Sequence, residues 1–445
     1  MVEYIGLSYG FHDACIAYIE GNQILGAYHA ERSSRIKNDR NPDPNWEYDP
    51  YALTCFYEKT FKKNLRRLYA GQSWKSRPGC DFSVDHHWSH AAAAYYTRPF
   101  TEEPVCVVID AIGEWDTASI WWKKKKVWSM RYPKSLGLFY SAITHNIGLK
   151  PNEDEYITMG MAAYGEAKYV KEMTFLLEKN LHKGVPDYSL IGYKKEDLAA
   201  SAQLVIEDEI LKIMNIARKY SAHLCYGGGV ALNCVANSKI YPLFDNIWIM
   251  PNPGDGGSAL GAAAAINNKM LNWIDPYLGY DIKGQVNAKE VAQYLIDNSY
   301  CGVANGRAEF GPRSLGNRSL LADPRRPIKD TVNQIKKRQS FRPFAPAILS
   351  EYAEEYFEGP MNEYMQFVAK AKHDYDSVTH VDGTARVQVV KPNCKSVIRP
   401  ILEEFYELTG VPMLLNTSLN IKGQPIVNTE KDAADFEKEY KVKVF

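Results

Sequence analysis

The sequence lacks several features that would place it in a common class. Its eight cysteines show no CxxC pair and no disulfide-like spacing, so neither a disulfide framework nor a cysteine zinc site is indicated. The formal net charge is +0 at pH 7, so no global field favours nucleic acid or an anionic membrane. No apolar run approaches the roughly 18 residues of a membrane span. Residues 1–10 have no basic segment before an apolar stretch, so we expect no signal peptide, no membrane partner and a cytoplasmic location.

The composition is that of a globular protein, and the patterns along the chain predict an α/β fold with more than one domain. The chain has 445 residues, of which 45% are hydrophobic and 24% charged, which is ordinary for soluble proteins. From residue 4, YIGLSYGFHDACIAYIEGNQILGAY predicts three strands separated by two turns, and VCVVIDAIGEWDTASIWWKKKKVWSMRY repeats that order from residue 105. Two such copies favour duplicated lobes around a cleft, as in the actin-like ATPase fold. The pattern loosens near 270–300, so we expect domains at 1–290 and 291–445.

One short stretch concentrates histidine. VDHHWSHAAAAYY (84–96) holds three of the 10 histidines in the chain. His86 and His90 stand at i and i+4, so on a helix they share one face and can bind one metal ion. His87 would point about a quarter-turn away. An isolated HxxxH pair is also compatible with surface or capping histidines.

Two aspartates favour a metal site over that alternative. Asp110 ends the strand VCVVID, where a side chain projects from the carboxyl edge of a sheet. Asp255 lies in the glycine turn of PGDGGSALGAA at a helix start, where it could also be a simple N-cap. Two imidazoles and two carboxylates without a thiolate suit iron(II), manganese or zinc.

Ten motifs, in this order along the chain, resemble those of the O-carbamoyltransferase family that modifies nodulation factors and antibiotics. The first domain also resembles the metal-containing tRNA threonylcarbamoyl transferase, and the second, an α/β domain, resembles threonylcarbamoyl-AMP synthase. The motifs are HDACIA (12–17), ERSSRIKND (31–39), HHWSHAAAA (86–94), GLKPNEDEYITMGMAAYGE (148–166), GGVALNCVANSKI (228–240), GDGGSALGAA (254–263), GRAEFGPRSLGNRSLLADPR (306–325), FRPFAPAIL (341–349), HVDGTARVQ (380–388) and NTSLNIKGQPIV (416–427).

The resemblance implies an ATP-dependent O-carbamoyltransferase that works in two stages. Carbamoyl phosphate and ATP would give carbamoyl-adenylate in the second domain, and the first domain would pass the carbamoyl group to an acceptor hydroxyl. The acceptor would be a sugar or antibiotic-like small molecule, or a hydroxymethylated pyrimidine in a nucleotide or DNA. The implied metal is iron(II), with zinc or manganese as alternatives, and magnesium would accompany ATP. A homodimer is compatible with the resemblance.

The resemblance also assigns roles to individual residues. His86, His90, Asp110 and Asp255 fall on the metal-ligand positions, and Gly228, Gly229 and Asn233 become nucleotide contacts. His12 and Lys37 are expected on the phosphate-facing side of the first lobe, while Glu153 and Asp154 could ligate, position or deprotonate the acceptor. The expected carbamoyl phosphate and ATP contacts of the second domain, where planar guanidinium groups suit phosphate, are Arg307, Arg313, Arg338, Arg342, Arg386 and Ser418, with Arg318 in the same arginine cluster.

The chain departs from the family pattern at two positions. Gln339 and Gln424 stand where the family usually has glutamate, and each removes a negative charge near the expected polyanion site. The same folds are compatible with two alternative functions. One is a tRNA-modifying threonylcarbamoyl-type transferase, and the other is a non-catalytic nucleotide-binding regulator. The neutral overall charge argues against the first, and the intact metal positions argue against the second.

Overall fold

The structure, a computed structural model, divides the chain into two compact units. It describes residues 3–10, 12–41, 53–57, 82–185, 190 and 192–445. Unit 1 comprises Met1–Ala30 and Asp39–Ile274, and unit 2 comprises Glu31–Asn38 and Asp275–Phe445. The division after Ile274 lies upstream of the boundary expected at 290, and one N-terminal segment joins unit 2. Within the described ranges, no helix is long and apolar enough to cross a membrane.

Unit 1 contains two five-stranded sheets. The first has the order β3-β2-β1-β4-β5, and the second has the order β10-β9-β6-β7-β8. In each sheet the three strands that come first in the chain pair antiparallel with one another. The two strands that come later in the chain pair in parallel. The strands are β1 (Glu3–Ser8), β2 (Cys15–Glu20), β3 (Gln23–His29), β4 (Leu53–Tyr57), β5 (Phe82–Val84), β6 (Val105–Gly113), β7 (Asp116–Trp122), β8 (Lys125–Arg131), β9 (His223–Gly227) and β10 (Asn246–Ile249).

The two sheets are copies of one topology. If the five strands of each sheet are numbered in chain order, the second sheet, read from β8 to β10, has the same order as the first. That order is third, second, first, fourth, fifth. The strand order therefore confirms the predicted duplicated lobes of the actin-like ATPase fold. The described helices up to residue 274 are α1 (Ala30–Ser34), α2 (His86–Thr97), α3 (Leu136–Asn146), α4 (Glu155–Ala162), α5 (Val170–Leu177), α6 (Lys195–Arg218), α7 (Cys234–Ile240) and α8 (Ser258–Asn267).

Helices α2 and α8 pack closely because small residues face each other. A Cβ on Gly261 would lie 1.8 Å from the Ser89 carbonyl oxygen of α2, and a Cβ on Gly6 of β1 would lie 1.8 Å from the Ala259 carbonyl oxygen of α8. The alanines of both helices are buried. The alanine run after the histidines therefore lets α2 approach α8, which follows directly on the 3₁₀ turn Asp255–Gly257.

Unit 2 is a mixed α/β unit, as expected. Its main sheet has the order β12-β14-β20-β15-β19, and apolar clusters cover both faces. The strands are β11 (Tyr277–Ile282), β12 (Tyr300–Ala304), β13 (Gly306–Glu309), β14 (Arg318–Ala322), β15 (Ala345–Leu349), β16 (Phe357–Glu358), β17 (Ala369–Ala371), β18 (Thr384–Ala385), β19 (Gln388–Val390) and β20 (Met413–Ser418). The helices are α9 (Ala288–Asn298), α10 (Lys329–Ile335), α11 (Ala353–Tyr356), α12 (Ile398–Thr409) and α13 (Glu430–Tyr440).

Candidate functional site

The histidine pair is positioned by the first turns of α2. The helix begins at His86 because the Asp85 side chain accepts the N–H of Trp88 at 2.8 Å. His86 and His90 are both buried, and their Nε2 atoms lie 3.2 Å apart. The i, i+4 spacing therefore brings both imidazoles to one point, as the sequence predicts.

The two aspartates reach the same point from other elements. Asp110 Oδ2 lies 2.8 Å from His86 Nε2 and 3.8 Å from His90 Nε2. Asp255 Oδ1 lies 3.3 Å from His90 Nε2 and 3.7 Å from His86 Nε2. Asp255 opens a 3₁₀ turn without capping it through its side chain, so the N-cap alternative is wrong. All four residues are buried, and one ligand atom from each lies within 4.8 Å of all the others.

This donor set fits a divalent cation. Metal–ligand bonds of about 2.0–2.2 Å to nitrogen and oxygen place neighbouring ligand atoms about 3 Å apart, close to the distances between these side chains. Two buried carboxylates side by side also repel each other unless a positive charge lies between them. Among the described residues, this is the cluster of metal-type ligands that the geometry brings together.

Further contacts hold the ligands in place. His90 Nδ1 lies 3.0 Å from the Pro253 carbonyl oxygen and 3.2 Å from Ser258 Oγ, so the Nε2 atom is left facing the cluster. Ser8 Oγ donates to the Asp255 carbonyl oxygen at 2.7 Å. These bonds tie the candidate ligands His90 and Asp255 to β1, to Pro253 and to the first residue of α8.

Gly113 is required by the histidine rings. A Cβ at this position would lie 2.1 Å from His86 Cδ2 and 2.4 Å from His87 Cδ2. His87 is also buried, its Nδ1 lies 2.8 Å from Ser119 Oγ, and burial lowers its pKa well below the usual value. His87 therefore packs as a neutral imidazole beside the cluster. This agrees with the prediction that its side chain points away from the face that His86 and His90 share.

The two residues expected near the phosphate of the first lobe fall in different units of the chain. His12 lies beside the cluster, with Nε2 3.5 Å from Asp255 Oδ2 and Nδ1 2.9 Å from Asp13 Oδ2. Lys37 belongs to unit 2, and its Nζ donates to both carboxylate oxygens of Glu31 at 2.8 and 3.1 Å. Residues 31–38 group with unit 2, so Lys37 does not belong to the first lobe as expected, and its catalytic role stays a prediction.

The acidic segment before α4 is tied to its own loop. Glu153 forms an ion pair with Lys150, and Asp154 Oδ2 accepts the Lys150 N–H at 3.1 Å. Glu155 Oε1 accepts hydrogen bonds from Ser141 Oγ and the Asn152 N–H, both at 2.6 Å. These contacts order the segment, while the catalytic roles of Glu153 and Asp154 stay predictions.

The three expected nucleotide residues have structural contacts. Gly228 has φ +90°, its N–H donates to the Pro253 carbonyl oxygen at 2.8 Å, and a Cβ there would lie 2.2 Å from the Ile109 carbonyl oxygen. A Cβ on Gly229 would lie 3.2 Å from Asp110 Oδ1. Asn233 caps α7 and exchanges two hydrogen bonds with Gln203, at 3.0 and 3.1 Å. The glycines therefore allow β9 to end against Asp110, and nucleotide binding stays a prediction.

Unit 2 contains a cationic cluster centred on Lys336. Lys336 Nζ donates to the Ser418 carbonyl oxygen and, at 2.9 and 3.0 Å, to the carbonyl and side-chain oxygens of Asn420. Burial, with Arg338 and Arg342 nearby, lowers the pKa of Lys336 well below its usual value. Such a group of cations lowers its own energy when an anion binds. The predicted residues Arg338, Arg342 and Ser418 thus share one locality, and Lys336 is the member that the sequence did not reveal.

The other predicted arginines have different surroundings. Arg307 donates to the carbonyl oxygens of Leu278 at 2.5 Å and Gly279 at 3.2 Å. Arg313 and Arg386 are half-buried, and Arg386 Nε is a buried atom without a hydrogen-bond partner among the described residues.

Arg318 is a structural residue. Its guanidinium donates to the carbonyl oxygens of five residues, and burial lowers its pKa to about 10. The acceptors are Tyr280, Asn305, Gly306, Asn317 and Asn428. Arg318, which the sequence groups with the candidate phosphate contacts, therefore uses its donors on the backbone.

Comparison with known proteins identifies the family. The carbamoyltransferase C-terminus model matches residues 292–445, and the carbamoyltransferase N-terminus model matches residues 53–189 and 171–264. The protein is similar to nodulation protein NolNO of Sinorhizobium fredii, with 30% identity over 95% of this chain and 76% of that protein. Nodulation protein NolO of Bradyrhizobium diazoefficiens is 32% identical over 79% of this chain and 75% of its own length. The chain belongs to the carbamoyltransferase family and is an enzyme of that class.

Solved structures are less similar. Component A of (R)-2-hydroxyglutaryl-CoA dehydratase from Acidaminococcus fermentans has 13% identity and a TM-score of 0.39, covering 60% of this chain and 98% of that chain. The duplicated-lobe fold of unit 1 therefore rests on its own strand order.

Proposed function

We propose that the protein is an ATP-dependent O-carbamoyltransferase with one reaction in each unit. In unit 2, carbamoyl phosphate and water give carbamate and phosphate, and a carbamate oxygen attacks the α-phosphorus of ATP to form carbamoyl-adenylate and pyrophosphate. In unit 1, an acceptor hydroxyl oxygen attacks the carbamoyl carbon, AMP leaves, and the hydroxyl proton is released. The two family matches, one on each side of residue 275, support this division.

The convergence of His86, His90, Asp110 and Asp255 is the observation that carries the proposal. The donor set suits iron(II), with zinc and manganese as alternatives. Such an ion supplies positive charge and a Lewis-acid position for an adenylate phosphate. The protein supplies the geometry, because α2, β6 and the turn before α8 present the four side chains to one point.

His12 is the candidate proton-handling group of unit 1. Its side chain is 30% exposed, so one face can meet a substrate while Nε2 approaches Asp255 Oδ2. A neutral imidazole here can accept the proton of an attacking hydroxyl, and the imidazolium can stabilise the phosphate that leaves. Glu153 and Asp154 are proposed to position the acceptor through their ordered loop.

The cationic cluster of unit 2 supports adenylate formation. Lys336, Arg338 and Arg342 offer positive charge to the many oxygens of ATP and carbamoyl phosphate. The Arg338 guanidinium lies 3.9 Å from the centre of the Phe344 ring, which fixes its plane. We assign magnesium to ATP in this unit, with Arg313 and Arg386 as further contacts.

One assay tests the complete proposal. The purified protein would be incubated with ATP and carbamoyl phosphate, first alone and then with hydroxyl-bearing sugars, antibiotics, nucleosides and oligonucleotides. We expect pyrophosphate to depend on carbamoyl phosphate, and mass spectrometry to find one added carbamoyl group on an accepted compound. ATP turnover that ignores carbamoyl phosphate would contradict adenylate formation. Carbamoyl transfer directly from carbamoyl phosphate without ATP would contradict the two-stage order.

A further inference from the structure

The turn between β7 and β8 of unit 1 is built from two lysines. Trp122 pairs with Lys125, so Lys123 and Lys124 are the two loop residues, and their φ values are +50° and +64°. Asparagine and glycine are favoured in such a hairpin loop, because both of its residues need positive φ. Lysine enters this left-handed region at a cost in free energy. The backbone of the turn therefore does not explain the two lysines.

Aromatic rings hold both ammonium groups at the surface. Lys123 Nζ lies 5.5 Å from the centre of the Trp122 ring, and Lys124 Nζ lies 5.2 Å from the centre of the Tyr96 ring of α2. Lys124 also donates to Asn268 Oδ1 at 2.8 Å. A cation–π contact of this length fixes the position of a cation and leaves its charge available.

Cations and rings continue on both sides of the turn. On one side, the Tyr95 ring centre lies 5.6 Å from Lys124 Nζ and 4.3 Å from the Arg98 guanidinium. On the other side, the Trp122 ring lies 6.4 Å from the ring of Tyr220, which is 38% exposed. We call this set of neighbours the basic row. Its members are Arg98, Tyr95, Lys124, Lys123, Trp122 and Tyr220.

The positive charge around the basic row is not neutralised by the part of unit 1 that the structure describes. Five cations there form no ion pair with described residues, namely Arg98, Lys123, Lys124, Lys125 and Lys219. Lys126 differs, because Asp116 Oδ2 accepts from its Nζ at 2.6 Å. Glu102 and Glu103 follow in the loop after α2, and Glu103 accepts from the Tyr95 hydroxyl at 3.0 Å. The chain as a whole has 53 basic and 53 acidic residues, so this excess is local.

We infer that the basic row binds a nucleic acid strand. Its cations contact the phosphates, and Trp122 and Tyr220 stack with the bases, which is the combination that proteins use to bind single strands with little sequence preference. An anionic membrane would require an apolar face that inserts between the lipids, whereas these rings lie among the cations. The inference goes beyond the proposed function and requires neither of its two reactions.

Fluorescence anisotropy of the full-length protein, without ATP and carbamoyl phosphate, measures the binding. The probe is a labelled single-stranded oligonucleotide of mixed sequence, and vesicles of phosphatidylserine in phosphatidylcholine are the competitor. We expect binding at low salt, with the logarithm of the affinity falling linearly with the logarithm of the salt concentration as counterions are released. Absence of oligonucleotide binding at low salt, or binding of the vesicles instead, would refute the inference.

A double variant of the turn tests the lysines. Lys123→Asn combined with Lys124→Gly introduces the pair that this turn favours, so the hairpin should still fold. We expect the affinity for the oligonucleotide to fall at least about tenfold, and the salt dependence to become shallower by about 0.7 for each lysine removed. Lys171→Gln combined with Lys183→Gln is the control, because it removes the same charge at two other exposed lysines of unit 1. An equal loss of affinity in both double variants would show that only the overall charge matters, against the inference.

Tyr220→Leu tests whether the rings contact bases. Leucine keeps an apolar contact with Trp122 but removes the ring that stacks, so the affinity for the oligonucleotide should fall at least about fivefold. The affinity for inorganic polyphosphate, measured by competition, should not change, because polyphosphate has no bases. An unchanged affinity for the oligonucleotide would make the basic row a general polyanion surface and would contradict the inference.

Discussion

At the scale of single residues, the sequence was informative where partners are close along the chain. The spacing of His86 and His90 predicts a shared helix face, and their Nε2 atoms lie 3.2 Å apart. Lys336 went unnoticed because its acceptors lie 82 and 84 residues further on. The sequence grouped Arg318 with the other arginines because a sequence does not show which distant carbonyl groups will surround a guanidinium.

Gly113→Ala tests the packing of the candidate metal centre. The new methyl group would stand 2.1 Å from His86 Cδ2, so the imidazole must leave the position in which its Nε2 lies 2.8 Å from Asp110 Oδ2. We expect metal affinity to fall about 10- to 100-fold, measured by competition with a chelator and by metal analysis of the purified protein. Wild type should contain about one ion per chain, as one four-ligand site implies.

Gly160→Ala is the matched control for that variant. Gly160 lies inside α4, and a Cβ there meets nothing within 4 Å. It should keep the wild-type metal content and gain slightly in stability, because alanine favours helix more than glycine does. Equal metal affinity in both variants would contradict the role assigned to Gly113.

Lys336→Met tests the buried ammonium group through pH. Burial lowers the pKa of Lys336 in the folded state, so between that pKa and the unfolded value of about 10.4 the unfolded chain binds more protons. The stability contributed by this group therefore rises with pH in that window. Measured by urea unfolding without ligands, wild type should gain stability relative to Lys336→Met by up to about 1.4 kcal/mol per pH unit. A constant difference across the window would refute the pKa shift.

At the scale of elements, periodicity identified the hairpins but not the contacts between them. The repeated strand and turn pattern from residues 4 and 105 predicted two equivalent sheets, and the identical strand orders confirm them. The close approach of α2 and α8 depends on which helix faces which, and a local pattern does not contain that information. The alanine run indicated a helix, while its function as a close-packing surface became visible only in the structure.

Gly261→Ala tests that helix contact. A methyl group at Gly261 would meet the Ser89 carbonyl oxygen at 1.8 Å, which pushes α8 away from α2. We expect a loss of about 1–3 kcal/mol in the free energy of unfolding. Metal binding should also weaken, because His86 and His90 lie on α2 and Asp255 lies in the turn before α8. Thermal unfolding and metal titration would measure both effects, and an unchanged melting temperature would contradict the packing described.

At the scale of the whole molecule, the family and the two-part organisation followed from motif order, whereas the course of the chain between units did not. The loosening of the pattern near 270–300 predicted domains at 1–290 and 291–445, and the two family models match residues 53–264 and 292–445. The ERSSRIKND motif looked like part of the first lobe because it follows β3 directly. Its side chains instead contact unit 2, where Arg32 donates to the Gly311 carbonyl oxygen at 2.9 Å.

A pair of full-length variants tests the division of labour. His90→Ala removes a candidate metal ligand in unit 1, so we expect carbamoyl transfer to be lost while pyrophosphate release from ATP continues. Arg386→Ala removes a guanidinium of unit 2 and should reverse the pattern, with pyrophosphate release reduced at least about tenfold. Radiolabelled ATP and mass spectrometry of the acceptor would follow both reactions. Loss of both activities in each variant would argue against separate reactions.

The crossing of Glu31–Asn38 into unit 2 limits how a gene of this kind can be divided. Arg35 of this segment donates to the Ile426 and Pro425 carbonyl oxygens at 2.7 and 3.1 Å. A fragment starting at Asp275 would therefore lack Glu31–Asn38 and the hydrogen bonds that this segment makes to it. The segment would stay on the N-terminal fragment. Fission of such a gene, or exchange of one half between relatives, must carry this short segment along or replace what it contributes.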